Sequence, residues 1–165
     1  MKRLLIDLDI CNKCDECVAC CEYFYHPGNN LGVTALREYA TFALFCRHCE
    51  EAPCVNTCYH DALERQEDGH LKRYMMLCTS CKSCTIACPF GTILPDFIPY
   101  LDSKCDFCAE RGGEAPSCVE SCPEKAIEIK DIDEDDPEND VYLIGDNLAV
   151  HSRKWNREVE GITKK

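Results

Sequence analysis

The sequence predicts an α+β fold in which one small unit recurs: a strand, a cysteine loop, a short helix and a second strand. Three observations predict it. Four cysteine groups are spread evenly along 165 residues, short strand signals flank them, and the last interval within every group is three residues. The first group is Cys11-Asn-Lys-Cys14-Asp-Glu-Cys17-Val-Ala-Cys20-Cys21, and the second is Cys46-Arg-His-Cys49 followed by Cys54 and Cys58. The third is Cys78-Thr-Ser-Cys81-Lys-Ser-Cys84-Thr-Ile-Ala-Cys88-Pro89, and the fourth is Cys105-Asp-Phe-Cys108 followed by Cys118, Cys122 and Pro123. Four quartets account for all but one of the 17 cysteines.

The elements follow in order. Lys2–Leu8 alternates well enough for a half-buried strand entering the first group. Glu22–Thr34 contains His26-Pro27-Gly28-Asn29-Asn30 and reads as a loop. Ala40–Phe45 reads as a strand entering the second group. Ala62–Arg65 and Leu71–Met75 bracket Asp68-Gly69, a hairpin signal leading into the third. Ile98–Leu101 enters the fourth, Ala126–Ile129 starts a strand after Cys122, and Val141–Ile144 returns. Asp131–Asp140 holds seven acids and a proline and reads as a solvated linker. Gly145–Lys165 lacks cysteine. It reads either as a frayed terminus or strap, or as a docking arm with Trp155 as anchor and Arg153 and Lys154 beside it.

Composition narrows the chemistry. Cysteine at about a tenth of the chain signals either a disulfide scaffold or metal. The start, Met1-Lys-Arg-Leu-Leu-Ile-Asp7, is neither a signal peptide nor a membrane span, and no later stretch approaches roughly 18 uncharged apolar residues. We therefore expect a cytoplasmic, reducing location, where dense cysteine means metal. The net charge of −12 argues against nucleic acid and anionic membrane surfaces, which select basic patches, and suits a partner with a basic docking face. Four [4Fe–4S]2+ centres with thiolate ligands would carry it to roughly −20.

The third group has the C-x2-C-x2-C-x3-C-P spacing of a [4Fe–4S] ligand run. Cys78, Cys81 and Cys84 lie on one loop and can wrap one face of a cubane. Cys88 starts the next turn and serves a second cluster, and Pro89 suits a first helical turn that needs no amide donor. Structural zinc favours separated C-x2-C pairs and has no need of x2 triplets. The fourth group alone fits either metal. Cys20 and Cys21 compete as the distal ligand of group one. The x3 interval favours Cys21, which leaves Cys20 as a small buried hydrophobe or a substitute ligand. His48 lies between two ligands and reads as a hydrogen-bonding neighbour of the cluster, since its group already holds four cysteines. His26, His60, His70 and His151 read as loop or surface residues. Phe90, Phe107 and Tyr59 read as packing that excludes water. No Ser/His/Asp arrangement, phosphate loop or dinucleotide fingerprint appears.

With all four groups in order, residues 4–130 resemble the four-cluster ferredoxin-like electron-transfer subunits of the dimethyl sulfoxide reductase iron–sulfur subunit type. The matching runs are Cys46-x-His48-Cys49-x3-Pro53-Cys54-x3-Cys58, Cys78–Pro89, and Lys104-Cys105-x-Phe107-Cys108 with Pro116-x-Cys118-Val-Glu-x-Cys122-Pro123-x2-Ala126-Ile127. The resemblance implies two nested ferredoxin-like subdomains, an outer half at about 1–30 and 95–130 and an inner half at about 40–94, with 131–165 as acidic linker and docking tail. It implies cluster A on Cys11, Cys14, Cys17 and Cys122, and cluster B on Cys105, Cys108, Cys118 and Cys21. Cluster C falls on Cys46, Cys49, Cys54 and Cys88, and cluster D on Cys78, Cys81, Cys84 and Cys58. Glu22 and Tyr59 stand where many members have proline after the distal cysteine, which alters local turns but no ligand.

A narrower resemblance rests on Tyr25-His26-Pro27-Gly28-Asn29-Asn30 followed by Thr34-Ala35-Leu36-Arg37-Glu38. It is to small subunits that accompany tungstopterin enzymes of the aldehyde:ferredoxin oxidoreductase and tungsten-dependent benzoyl-coenzyme A reductase types, enzymes of anaerobic metabolism. The expected function is electron transfer through up to four [4Fe–4S] clusters to or from a catalytic oxidoreductase subunit, with tungsten or molybdenum pterin favoured. The cysteines would be ligands and not nucleophiles, and catalysis would belong to the separate chain of a hetero-oligomer. The alternatives are a free soluble polyferredoxin and a multi-zinc interaction module; a secreted disulfide protein is disfavoured by the missing signal. The apolar residues alone make a thin core, so the apoprotein is expected to be largely unfolded.

Overall fold

The computed structural model describes residues 1–21, 31–67, 69–96, 98 and 115–153. Strand β1 (Lys2–Asp7) runs into one helical turn, α1 (Leu8–Cys11), which Asp7 caps by accepting the Ile10 amide. Helix α2 (Leu31–Phe45) precedes the second cysteine group. The short helix α3 (Pro53–Asn56) follows, then the hairpin β2 (Leu63–Arg65) and β3 (Leu71–Arg73). Helices α4 (Ser83–Ala87) and α5 (Ser117–Ser121) are single turns within the third and fourth groups. Strands β4 (Ile127–Asp131), β5 (Val141–Ile144) and β6 (Leu148–His151) end the described chain. The α+β class expected from the sequence is the class observed.

One sheet has the order β4-β1-β6-β5, and the β2–β3 hairpin forms a second. Strand β1 pairs antiparallel with β4 (Ile6 opposite Ile127) and parallel with β6 (Ile6 opposite Val150). Leu4, Leu5 and Ile6 are all buried, so β1 is covered on both faces and not half-buried as its alternation suggests.

Two hydrophobic cores lie either side of α2. The first joins Leu4, Ile6 and Leu8 to Val33, Leu36, Ala40 and Ala43 of the helix and to Ile127, Ile144, Leu148 and Val150. The second joins Phe42 to Cys54, Leu63, Leu71, Ile93 and Ile98. Helix α2 thus presents a stripe at 33, 36, 40 and 43 to one core and Phe42 to the other.

Several expectations need correction. Ala40–Phe45 is the last part of a 15-residue helix and not a strand. Six residues showed only local alternation, whereas the 3.6-residue period from Val33 to Ala43 needs a longer window. The reading of 131–165 as linker and tail fails for residues 141–151. These form β5 and β6, and Ala149 and Val150 have no exposed surface at all. Acids in the 131–140 segment act as caps: Asp136 accepts the Asn139 amide of a 3-10 turn at Pro137–Asn139, and Asp135 accepts the Leu143 amide at 2.6 Å. His70 is buried, and His151 lies on β6 with Nδ1 2.8 Å from Asp7 Oδ2. The strand signals at Ala62–Arg65, Leu71–Met75 and Ala126–Ile129 correspond to β2, β3 and β4 with slightly different ends, and the returning strand expected at Val141–Ile144 is β5. The reading of 22–34 as a loop fails at 31–34, which begin α2, while 22–30 lie outside the described residues, as do Asp68 and 99–101; Ile98 is buried.

Candidate metal centres

The cysteines are positioned by a local device used three times. Helix α3 carries Pro53-Cys54-Val-Asn-Thr-Cys58, α4 carries Ser83-Cys84-Thr-Ile-Ala-Cys88, and α5 carries Ser117-Cys118-Val-Glu-Ser-Cys122. The first cysteine of each pair sits in the helical turn. In α4 and α5 the second is the C-cap, already extended at ψ 109° for Cys88 and 108° for Cys122. A helix that continued would stack residues i and i+4 on one face. Leaving the helix at the cap sends the distal sulfur elsewhere. Three residues on, the chain turns left-handed at Asp61, Gly91 and Lys125, each donating its amide to the carbonyl of Cys58, Cys88 or Cys122 at 3.2 Å. Strands β2 and β4 then start at the same offset, so the helix-to-strand part of the expected repeat recurs at groups two and four, while a helix and not a strand enters group two and no strand follows Cys88 before α5 among the described residues.

Three four-cysteine cradles result. Cys46, Cys49, Cys54 and Cys88 line one cavity, Cys58, Cys78, Cys81 and Cys84 a second, and Cys11, Cys14, Cys17 and Cys122 a third. Among the described residues no three His, Cys, Asp or Glu side chains converge closely enough for a single metal ion. Tetrahedral zinc, with Zn–S near 2.3 Å, needs sulfurs within about 4 Å of each other. Open cradles of four thiols fit a cubane, which spreads its ligands. Of the fourth quartet, Cys21 and Cys118 pack against the first core beside Cys17 and Cys122. Cys105, Cys108 and Phe107 lie outside the described residues, as do Lys154 and Trp155.

The surroundings of the sulfurs differ. Burial pushes the Cys54 thiol up to about 11, and burial also raises Cys46 against an opposing hydrogen bond from the His48 amide. At Cys88 burial is outweighed. The Thr92 hydroxyl, 3.4 Å from Sγ, and the amides of Ile93, Phe90 and Thr92 bring that thiol down to about 7. At the second cradle Cys58 accepts the Ala62 amide at 3.3 Å, and Cys81 Sγ lies 3.4 Å from Ser83 Oγ. At the third, burial raises Cys11 while Arg37 opposes the shift.

His48 contributes in a way the spacing did not suggest. Its backbone, left-handed at φ 48°, supplies the amide to Cys46, while its ring nitrogen Nε2 is 3.1 Å from the Ala43 carbonyl at the end of α2. The ring also meets His70 edge-on at 4.5 Å, which ties the cysteine loop to the hairpin. Cys20 is exposed and not a buried hydrophobe; its amide donates to Ser121 Oγ at 2.8 Å. Cys21 Sγ instead comes within 2.5 Å of where a Cβ on Gly32 would stand, so any larger residue at that point of α2 would have to displace the sulfur. Tyr59 is exposed, and half-exposed Phe90 lies under Arg47 at 5.5 Å, so neither seals a cradle from water. Arg153 donates its amide to Asp9 at 3.0 Å. Thr92 and Gly32 are not singled out by the sequence, and Ser83 and Arg37 stand there only inside longer runs. Thr92 and Ser83 are signalled by their offset from a candidate ligand cysteine, and Gly32 by an isolated glycine in a helical pattern.

Comparison with known proteins places this arrangement. A family model described as a 4Fe-4S dicluster domain matches residues 37–132. YsaA of Escherichia coli (strain K12), whose name assigns it provisionally to electron transport, is 34% identical over 147 residues, covering 81% of this chain and 92% of YsaA. The ferredoxin MJ0265 of Methanocaldococcus jannaschii is 32% identical over 81% of this chain and 75% of its own. YnfG of Escherichia coli (strain K12), named provisionally as an anaerobic dimethyl sulfoxide reductase chain, is 31% identical over 78% of this chain and 73% of its own. The chain belongs to the 4Fe-4S dicluster domain family. It is a ferredoxin-like electron-transfer protein whose cofactors are [4Fe–4S] clusters. No helix among the described residues is long and apolar enough to cross a membrane.

Proposed function

We propose that this chain is the electron-relay subunit of a larger oxidoreductase and holds four [4Fe–4S] clusters. The ligand sets are Cys11, Cys14, Cys17 and Cys122; Cys21, Cys105, Cys108 and Cys118; Cys46, Cys49, Cys54 and Cys88; and Cys58, Cys78, Cys81 and Cys84. One observation carries the reading: each described cradle takes three cysteines from one group and the fourth from another. Such exchange pairs group two with group three, and group one with group four, as two nested halves. When bound, each cluster accepts and returns one electron. The protein's own residues hold the thiolates, aim amides and hydroxyls at them, and set how much water reaches them.

A subunit role is favoured over a free ferredoxin by the surface beside Cys58, Cys78 and Cys84. Tyr59, Met76 and Ile86 lie within two residues of these ligands and are 91, 95 and 86% exposed. Large apolar side chains left in water around a redox site suit a covering partner. The partner we propose is a catalytic subunit of molybdenum or tungsten pterin type. The likeness to YnfG supports this class, and Arg153, Lys154 and Trp155 would be further contacts. Iron and acid-labile sulfide on anaerobically purified protein should each come to about 16 per chain, four for every cubane. A value near 12 leaves one quartet empty, and zinc without sulfide overturns the reading. Molybdenum or tungsten in the co-purified complex tests the partner class; a complex free of both rejects it.

A further inference from the structure

The donors and charges around the three described cradles are unevenly distributed. Cys88 receives the Thr92 hydroxyl and the amides of Phe90, Thr92 and Ile93. Cys81 has the hydroxyls of Ser83 and Thr79 and the Ser83 amide. Arg65 lines the Cys88 cradle, and Arg73 and Lys82 line the Cys81 cradle. The group-one cradle is different. Asp15 and Glu16 line it, Glu124 stands at its mouth, and Cys14 Sγ has the Ile10 carbonyl at 3.9 Å. Its cation, Arg37, is held at 2.6 Å by Glu38, which offsets part of its charge.

Resting on the relay reading above, we infer that the relay is polarised. The centre held by Cys11, Cys14, Cys17 and Cys122 has a lower reduction potential than the two centres of the inner cradles. One-electron reduction adds one unit of negative charge to a centre. Hydrogen bonds to ligand sulfurs and nearby cations stabilise that charge, and carboxylates oppose it. Solvent exposure also stabilises it, but Cys14 and Cys81 are both exposed, so exposure does not separate the first cradle from the second. Burial of Cys54 acts against the Cys88 cradle, where four donors on one sulfur act the other way. An electron delivered by a reduced flavin or iron–sulfur centre of a partner would therefore come to rest in the inner half, with no bond made and no proton moved.

The test is a potentiometric titration followed by electron paramagnetic resonance on the full, anaerobic, cluster-loaded chain. Thr92→Val and Ser83→Ala should each lower one of the higher midpoints. Asp15→Asn combined with Glu124→Gln should raise a different midpoint, lower than either of those two in the unsubstituted protein. Each change should alter the reduced-to-oxidised ratio at fixed potential about three- to tenfold, ~30–60 mV for a one-electron couple. Thr92→Ser keeps the hydroxyl and should leave the midpoint in place; a shift as large as that of Thr92→Val would mean packing, not hydrogen bonding, and overturn the assignment. The inference also fails if the carboxylate variant raises a midpoint above those moved by Thr92→Val and Ser83→Ala. A variant that loses its cluster still identifies the centre by the signal that vanishes, and the unsubstituted titration of that signal decides the order. Absence of cubane signals from the unsubstituted protein would instead sink the relay reading itself.

Discussion

At the scale of single residues, two groups differ in what they ask of the fold. Cysteine ligands act through spacing, and spacing is written in the sequence. Cys78, Cys81, Cys84 and Cys88 can be proposed as ligands without coordinates because a cubane needs three close thiolates and a distal one. Thr92 and Ser83 cannot be assigned a part in this way, since a hydroxyl reaches a sulfur only if the backbone turns correctly, here through left-handed residues at Gly91 and Lys82. The crossing of ligands gives a prediction at this scale. Cys88→Ser lies in the group-three motif, yet it should abolish the centre of Cys46, Cys49 and Cys54 and leave that of Cys58, Cys78, Cys81 and Cys84. Mössbauer or paramagnetic resonance spectra that lose the latter centre instead would refute the crossed assignment. Gly32 gives a second. Gly32→Ala drives a methyl into Cys21 Sγ, and overpacking of this kind costs about 1–3 kcal/mol. The variant should melt earlier than the unsubstituted protein under anaerobic conditions and bind less iron; an unchanged melt and iron content would show that Cys21 has room to move.

Whole elements were legible where their period was short or their turn was marked. The β2–β3 hairpin announces itself by Asp68-Gly69, and Gly69 indeed adopts φ 85°. Helix α2 was hidden because its visible half, Ala40–Phe45, alternates locally, while its other half follows a stretch of sequence rich in turn residues, His26–Asn30. Strand β6 was hidden for a different reason. Leu148–His151 is only four residues long, and its burial comes from parallel pairing with β1, a contact 144 residues away in sequence at Leu4–Leu148 and its neighbours. No local pattern encodes such a pairing. Both elements can be challenged. Phe42 is the only α2 side chain in the buried set of the second core. Phe42→Ala should destabilise the loaded protein by about 3–5 kcal/mol, measured by anaerobic denaturant unfolding. A cost below about 1 kcal/mol would mean that α2 does not support that core. Truncation after Asn147 removes β6 and should abolish the sheet and the iron bound by group one. Truncation after Arg153 spares β6 and should keep the iron while weakening partner binding. Retained iron in the chain truncated after Asn147 would show that β6 is dispensable.

The molecule as a whole is two cores joined by one helix, and they are unequal. The first buries twelve side chains around a four-stranded sheet, whereas the second buries six, one of them Cys54, around a two-stranded hairpin. A lone hairpin is marginal in water, so the second core depends on neighbours that include Cys46, Cys58, Cys78, Cys84 and Cys88. With the ligand sets proposed above, those cysteines would become cross-links only when iron and sulfide bind. Metal removal should therefore not unfold the chain evenly, which refines the expectation of a largely unfolded apoprotein. After chelation, hydrogen exchange should become fast throughout α3, β2, β3 and α4, while amides of β1, β4 and β6 keep part of their protection. Buried thiols make the same coupling pH-dependent. Cys54, raised to about 11 by burial, would have to lose its proton to serve as the proposed ligand, so loading should release protons and weaken as pH falls. Cluster loss on acidification should run in parallel with loss of protection in the hairpin, and less steeply with loss in the sheet. Equal loss of protection in both regions at every pH would mean that the two cores fold as one cooperative unit.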